Sequence, residues 1–172
     1  MSFNYLLPVL ALLSACASPP SSTALQWQSA PPMQFARAAH AVAADDSGIY
    51  VLGGTGVGGK PVLEVEHFDG RQWRVISQLP AGGLNAPTAV MHDGQLWLIG
   101  GFFTDSNIPG AQVWRFDPQI RRWQQETPLP APRGGHASAI YQGRLHVFGG
   151  GNDERTLAPR VKIVVASSDL EF

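Results

Sequence analysis

Ile49-Tyr50-Val51-Leu52-Gly53-Gly54 is written again as Leu96-Trp97-Leu98-Ile99-Gly100-Gly101, and a third time as Leu145-His146-Val147-Phe148-Gly149-Gly150. The first glycines fall at 53, 100 and 149, steps of 47 and 49 residues. After each of the first two doublets comes an aromatic-Asp pair and then a tryptophan: Phe68-Asp69 with Trp73, and Phe116-Asp117 with Trp123. Leu-Pro follows, at Leu79-Pro80 and Leu129-Pro130. A period near 50 with this punctuation predicts a repeated four-stranded antiparallel unit, the blade of a propeller.

Working outward, one unit reads as a meander of strands a to d. In the second unit strand a is expected at Thr88–His92 and strand b at Gln95–Ile99, joined by the tight Asp93-Gly94 turn. Strand c is expected at Ala111–Phe116, and strand d is centred on Trp123. Asp69-Gly70 makes the c–d turn of the first unit. The b strands are apolar at nearly every position, as strands covered on both faces are. The tryptophans are plates suited to the gap between stacked sheets. Glycine (19) and proline (14) fall between the apolar runs, and no stretch carries long helical periodicity.

The composition suits one folded domain of 172 residues: 44% hydrophobic, 15% charged, net charge −1. That charge balance gives no basic stripe for nucleic acid. The one cysteine is Cys16, preceded by the apolar run Tyr5–Leu13, nine residues and too short to span a bilayer as a helix. Leu13-Ser14-Ala15-Cys16 resembles the bacterial lipoprotein signal, although residues 1–4 carry no Lys or Arg. That resemblance implies a signal peptide over 1–15, an acylated Cys16, and a Pro/Ser-rich tether over 16–23. Ala17 in place of aspartate implies the outer membrane, facing the periplasm of the bacterial envelope.

The glycine doublet after a hydrophobic strand, the aromatic before tryptophan, and the Leu-Pro together resemble the kelch repeat. The expected fold is all-β: a partial kelch-type β-propeller over 24–172, of about three four-stranded blades (24–80, 81–130 and 131–172). Ala24–Ser29 around Trp27 reads as a lone strand d, and Val161–Ala166 as strand c of the third unit. Three architectures follow: a truncated fragment of a longer kelch protein, a homodimer of half-rings completing six blades, or an open arc with bare strand edges.

Candidate chemistry is sparse. Gly54-x-Gly56-x-x-Gly59-Lys60 imitates a phosphate loop, but Pro61 stands where Ser or Thr is needed and a strand follows where a helix is needed. Arg37-x-x-His40 recurs as Arg133-x-x-His136, and the middle unit has Leu84 and Pro87 at those places. In an a–d meander these pairs lie beside the glycine loops at one edge of the blades. Two roles are open to them: gripping a carboxylate, or bracing loop carbonyls. The expected binding face holds Arg37, His40, Arg133 and His136 with loop residues Lys60, Asp105, Asn107, Asn152 and Asp153. No cofactor, metal site or catalytic residue is expected; the Tyr–Cys crosslink of copper oxidases with kelch domains has no cysteine here. The expected function is a membrane-tethered, non-catalytic envelope module binding a protein or carbohydrate ligand. The alternative, implied by resemblance to periplasmic kelch enzymes acting on sialic acid, is a sugar mutarotase or epimerase.

Overall fold

The computed structural model describes residues 25–151. The leader and tether with Cys16, the strand expected at Val161–Ala166, and Asn152 and Asp153 lie outside the described residues.

From Pro31 onward the chain forms antiparallel sheets. Sheet 1 is β1 (Ala41–Asp45), β2 (Gly48–Leu52), β3 (Glu64–Phe68) and β4 (Trp73–Gln78), in that spatial order. A two-residue ribbon then pairs β5 (Leu84–Asn85) with β8 (Phe102–Phe103). Sheet 2 is β6 (Thr88–His92), β7 (Gln95–Ile99), β9 (Val113–Asp117) and β10 (Arg122–Glu126), again in meander order. Sheet 3 is described as β11 (Ala137–Tyr141) paired with β12 (Arg144–Phe148). The one helical element among the described residues is a 3-10 turn at Val57–Gly59. Strands a and b of the second unit fall where the sequence puts them; strand c begins two residues later, because Gln112 is used by the loop.

The turns have local causes. Asp93 and Gly94 both hold positive φ, the paired left-handed geometry of a two-residue hairpin. At the c–d turns Asp69 Oδ1 accepts from the amides of Arg71 and Gln72, and Asp117 Oδ1 from those of Gln119 and Ile120. These bonds pull both carboxyls below their ordinary pKa. Both aspartates are turn-formers.

The sheets stack face to face, and the core lies in the seams. The trailing face of sheet 1 (Ala41, Ala43, Tyr50, Leu52, Val65) packs on the leading face of sheet 2 (Leu96, Leu98, Phe116, with Ala89, Met91, Trp114 and Trp123). The trailing face of sheet 2 (Ile99 and Val113, with Val90 and Trp97) packs on the leading face of sheet 3 (Leu145 and Val147, with Ile140). Each buried Leu, Ile or Phe contributes about 1.5–3 kcal/mol. Trp123 lies against Phe116 at 4.9 Å and donates its indole N–H across the seam to Ser77 Oγ, 2.9 Å. Trp73 is its counterpart, 5.0 Å from Phe68 and donating to the Pro31 carbonyl at 2.9 Å.

One expectation is corrected. Residues 25–30 form no strand, and Trp27 is fully exposed. A strand takes its hydrogen bonds from a neighbour, and no described strand pairs with this segment.

Candidate functional site

The connections before strand a and after strand b meet at one edge of each sheet. Their architecture repeats in hydrogen bonds. The carbonyl of the first glycine in each doublet accepts a side-chain N–H: Gly53 from Arg37 Nη1 (3.1 Å), Gly100 from Gln112 Nε2 (3.1 Å), and Gly149 from Arg133 Nη1 (2.7 Å). The middle unit has leucine at the arginine position, and a glutamine from the other side of the loop supplies the missing donor. The N–H of the second glycine reaches forward to the next sheet: Gly54 to Leu84 O at 2.7 Å, Gly101 to Arg133 O at 2.8 Å. A parallel ladder runs from Ala86 N–H to Ala39 O (2.8 Å) and from Gly135 N–H to Ala86 O (2.9 Å). Close approach explains the second glycine. A Cβ at Gly54 would stand 2.5 Å from Ala38 O and 3.1 Å from His40 Cβ.

Arg37 is committed to the fold. Its guanidinium also donates to Glu64 O (3.0 Å) and to Glu66 Oε2 (2.6 Å), and both side chains of this ion pair are fully buried. Glu66 Oε1 takes the Gln34 amide at 2.7 Å. The sequence reading missed Glu66; the signal was a carboxylate within the strand β3 of a unit that carries an arginine before its strand a. Arg133 is buried as well, and its described side-chain bond goes to the glycine-doublet carbonyl. Of the two roles open to the arginines, the geometry is that of the brace.

The histidines sit behind these braces. His136 is buried, with Nε2 2.7 Å from Thr88 Oγ1 of the preceding sheet. Burial, with the nearby Arg133 charge, pushes its pKa down to about 4. His40 is lowered for the same reasons, burial first and Arg37 second. Both are neutral at physiological pH.

Lys60, Asp105 and Asn107 are exposed on the two b–c loops, which leave equivalent strand ends and so emerge at the same edge of neighbouring sheets. Asn107 holds a left-handed φ of 56° and donates its amide to Phe103 O, closing the tip of its loop. His67, His92 and His146 lie on strands, partly exposed. Among the described residues no three His, Cys, Asp or Glu side chains gather to hold a metal.

Stacked four-stranded meanders, indoles in the seams and a glycine-doublet ladder beside the a strands define the chain as part of a β-propeller. The solved structure titled "Structure of YjhT" superimposes with a TM-score of 0.62 over 72% of this chain and 37% of that one, at 21% identity. Residues 84–130 match the family model of the kelch motif. The second unit thus carries a kelch motif, and the chain is similar to kelch-repeat proteins along most of its described length. It is 28% identical over 132 residues to beta-scruin of Limulus polyphemus, covering 73% of this chain and 14% of that protein. It is 30% identical over 112 residues to the N-acetylneuraminate epimerase of Haemophilus influenzae (strain PittEE), covering 60% of this chain and 28% of the enzyme. It spans well under a third of the length of these relatives.

Proposed function

We propose that this chain is a non-catalytic binding module of the bacterial envelope, tethered through a lipid on Cys16, that takes a protein or glycan on its b–c loop edge. What carries the reading is the division of labour at that edge. Arg37 is consumed in bracing backbone carbonyls and Glu66, and Arg133 is buried with a bond to the Gly149 carbonyl, while Lys60, Asp105 and Asn107 are exposed on loops whose ends the sheets fix. Exposed polar groups on a rigid scaffold are where binding specificity is built. The test is in-cell cross-linking with mass spectrometry, run beside an array of envelope glycans. Lys60→Glu with Asp105→Lys and Asn107→Ala should lower capture of the partner tenfold or more at unchanged melting temperature. Capture equal for the triple variant and the parent would remove the reading. For the tether, Cys16→Ser should move the protein from the membrane fraction to the soluble fraction and abolish palmitate labelling.

A second reading rests on the likeness to N-acetylneuraminate epimerase: a sugar mutarotase or epimerase acting on an acidic sugar. Calorimetry with sialic acid, followed by NMR of anomer exchange, separates the two. Binding heat with faster exchange supports the enzyme; no heat and no acceleration removes it.

A further inference from the structure

The repeat supplies its own comparison at the a–b turns. The loops Asp93-Gly94 and Gln142-Gly143 each place two left-handed residues between their strands, with φ of 49° and 70°, and of 51° and 69°. In sheet 1 the register leaves Asp46-Ser47 in that place; neither is left-handed, and the positive φ, 144°, falls on Gly48. Ser47 therefore stands where the other two units have glycine. A local rule kept twice and broken once marks a place where something other than turn geometry is served.

What gathers at this turn is a hydroxyl flanked by proton acceptors. Asp45 Oδ1 accepts from the Ser47 amide at 2.9 Å and stands 2.6 Å from Ser47 Oγ. His67 Nε2, from β3, lies 3.4 Å from the same oxygen, and the Tyr50 hydroxyl 2.9 Å from it. The Tyr50 ring is buried and packs on the imidazole with centroids 4.5 Å apart, which fixes the position of His67. Gly48 keeps the corner open: a Cβ there would collide with the Phe68 carbonyl and stand 2.8 Å from His67 Nε2. The corresponding positions of sheet 2 hold His92, Gly94, Trp97 and Arg115, which form no such group. Ser47 and Asp45 are exposed and His67 is half-buried, so the hydroxyl is open to solvent.

We infer that Ser47 is a nucleophilic serine, a covalent acceptor for acyl groups from activated esters. A hydroxyl within reach of a base that a third group holds in place is the arrangement that activates serine. Oγ attacks the carbonyl carbon of the ester. The Oγ–C bond forms as the bond from that carbon to the leaving oxygen breaks, and the leaving group departs with the electron pair. The Oγ proton passes to His67 Nε2, because imidazole is ordinarily a stronger base than a carboxylate. Asp45 holds the serine in place through the Ser47 amide. The product is Ser47 carrying an ester. This turn lies at the edge of sheet 1 opposite its b–c loop, so the site is separate from the ligand edge of the binding module.

The test treats the full chain with p-nitrophenyl acetate at neutral pH and locates acetyl groups by peptide mass spectrometry. Ser47 should be acetylated about tenfold or more faster than Ser106, an exposed serine of the second b–c loop. Ser47→Ala should remove the modification at that turn. His67→Ala should slow it about tenfold or more at unchanged melting temperature, and His92→Ala, on the equivalent turn of sheet 2, should leave the rate as it is. Equal rates at Ser47 and Ser106, or an unchanged rate in His67→Ala, overturns the inference. Should His67→Ala not fold, the parent chain decides alone by the ratio of its Ser47 and Ser106 rates: about ten or more supports the site, and anything less overturns it.

Discussion

Arg37 and Glu66 show how one residue pair can be required without being functional. Both charges are fully buried at 2.6 Å, so removing one leaves the other uncompensated away from water. Arg37→Met should cost about 3–5 kcal/mol in urea unfolding, and Arg37→Met with Glu66→Leu should recover much of that loss. Little recovery in the double variant would show that the carbonyl braces, not the charges, dominate. His136 makes stability depend on pH. Its folded pKa near 4 lies below the ordinary 6.5, so between these values the unfolded chain binds the extra proton. Its contribution is whole above pH 6.5 and is lost as pH falls toward 4, a loss of roughly 3 kcal/mol. His40 is shifted in the same direction and adds to the slope. The melting temperature should fall between pH 7 and pH 5, and His136→Gln should flatten that fall. A third residue-scale case is Ala86, held at a left-handed φ of 49° where the next unit has Gly135 at 63°. Ala86→Gly should raise stability by about 0.5–1 kcal/mol, the relief of left-handed strain exceeding the added freedom of the unfolded chain.

At the scale of elements, what holds one sheet to the next is apolar area fastened by two kinds of polar stitch. Leu98 and Phe116 are fully buried between sheets 1 and 2, so Leu98→Ala should cost about 2–5 kcal/mol by chemical denaturation. The indole of Trp123 adds a directional bond to Ser77 across that seam; Trp123→Phe keeps most of the area and should lose only about 1 kcal/mol. The strands of sheet 2 were readable because turn chemistry and apolar runs agree at Asp93-Gly94, at Gln95–Ile99 and at Trp123. The β5–β8 ribbon was not. Leu84–Asn85 and Phe102–Phe103 are two-residue stretches on separate connections, and their pairing exists only once the Gly100-Gly101 turn has folded the loop back. Gln112 was unreadable for the same reason: a donor that replaces an arginine 28 positions earlier in the chain has no local signature.

At the scale of the molecule, successive sheets are related by one repeated step, carried by the ladder through Ala39, Ala86 and Gly135. Such a stack draws its stability from contacts between neighbours, so an exposed face forgoes the burial that every internal sheet has. The lone strand expected around Trp27 fails at this same scale. A tryptophan at the repeat spacing names the place of a strand, but only a partner strand makes one.

The amino-acid sequence alone determined the repeat, its period, the order of strands within a unit and the residues of the turns, because each is a local property of side-chain size, β-propensity and left-handed tolerance. Only the tertiary structure decided that the arginines at the loop edge are braces, that Glu66 neutralises one of them, and that the histidines are buried and neutral. Those outcomes depend on distances between elements far apart in the chain. A guanidinium grips a carbonyl or a ligand according to which of them packing brings within 3 Å.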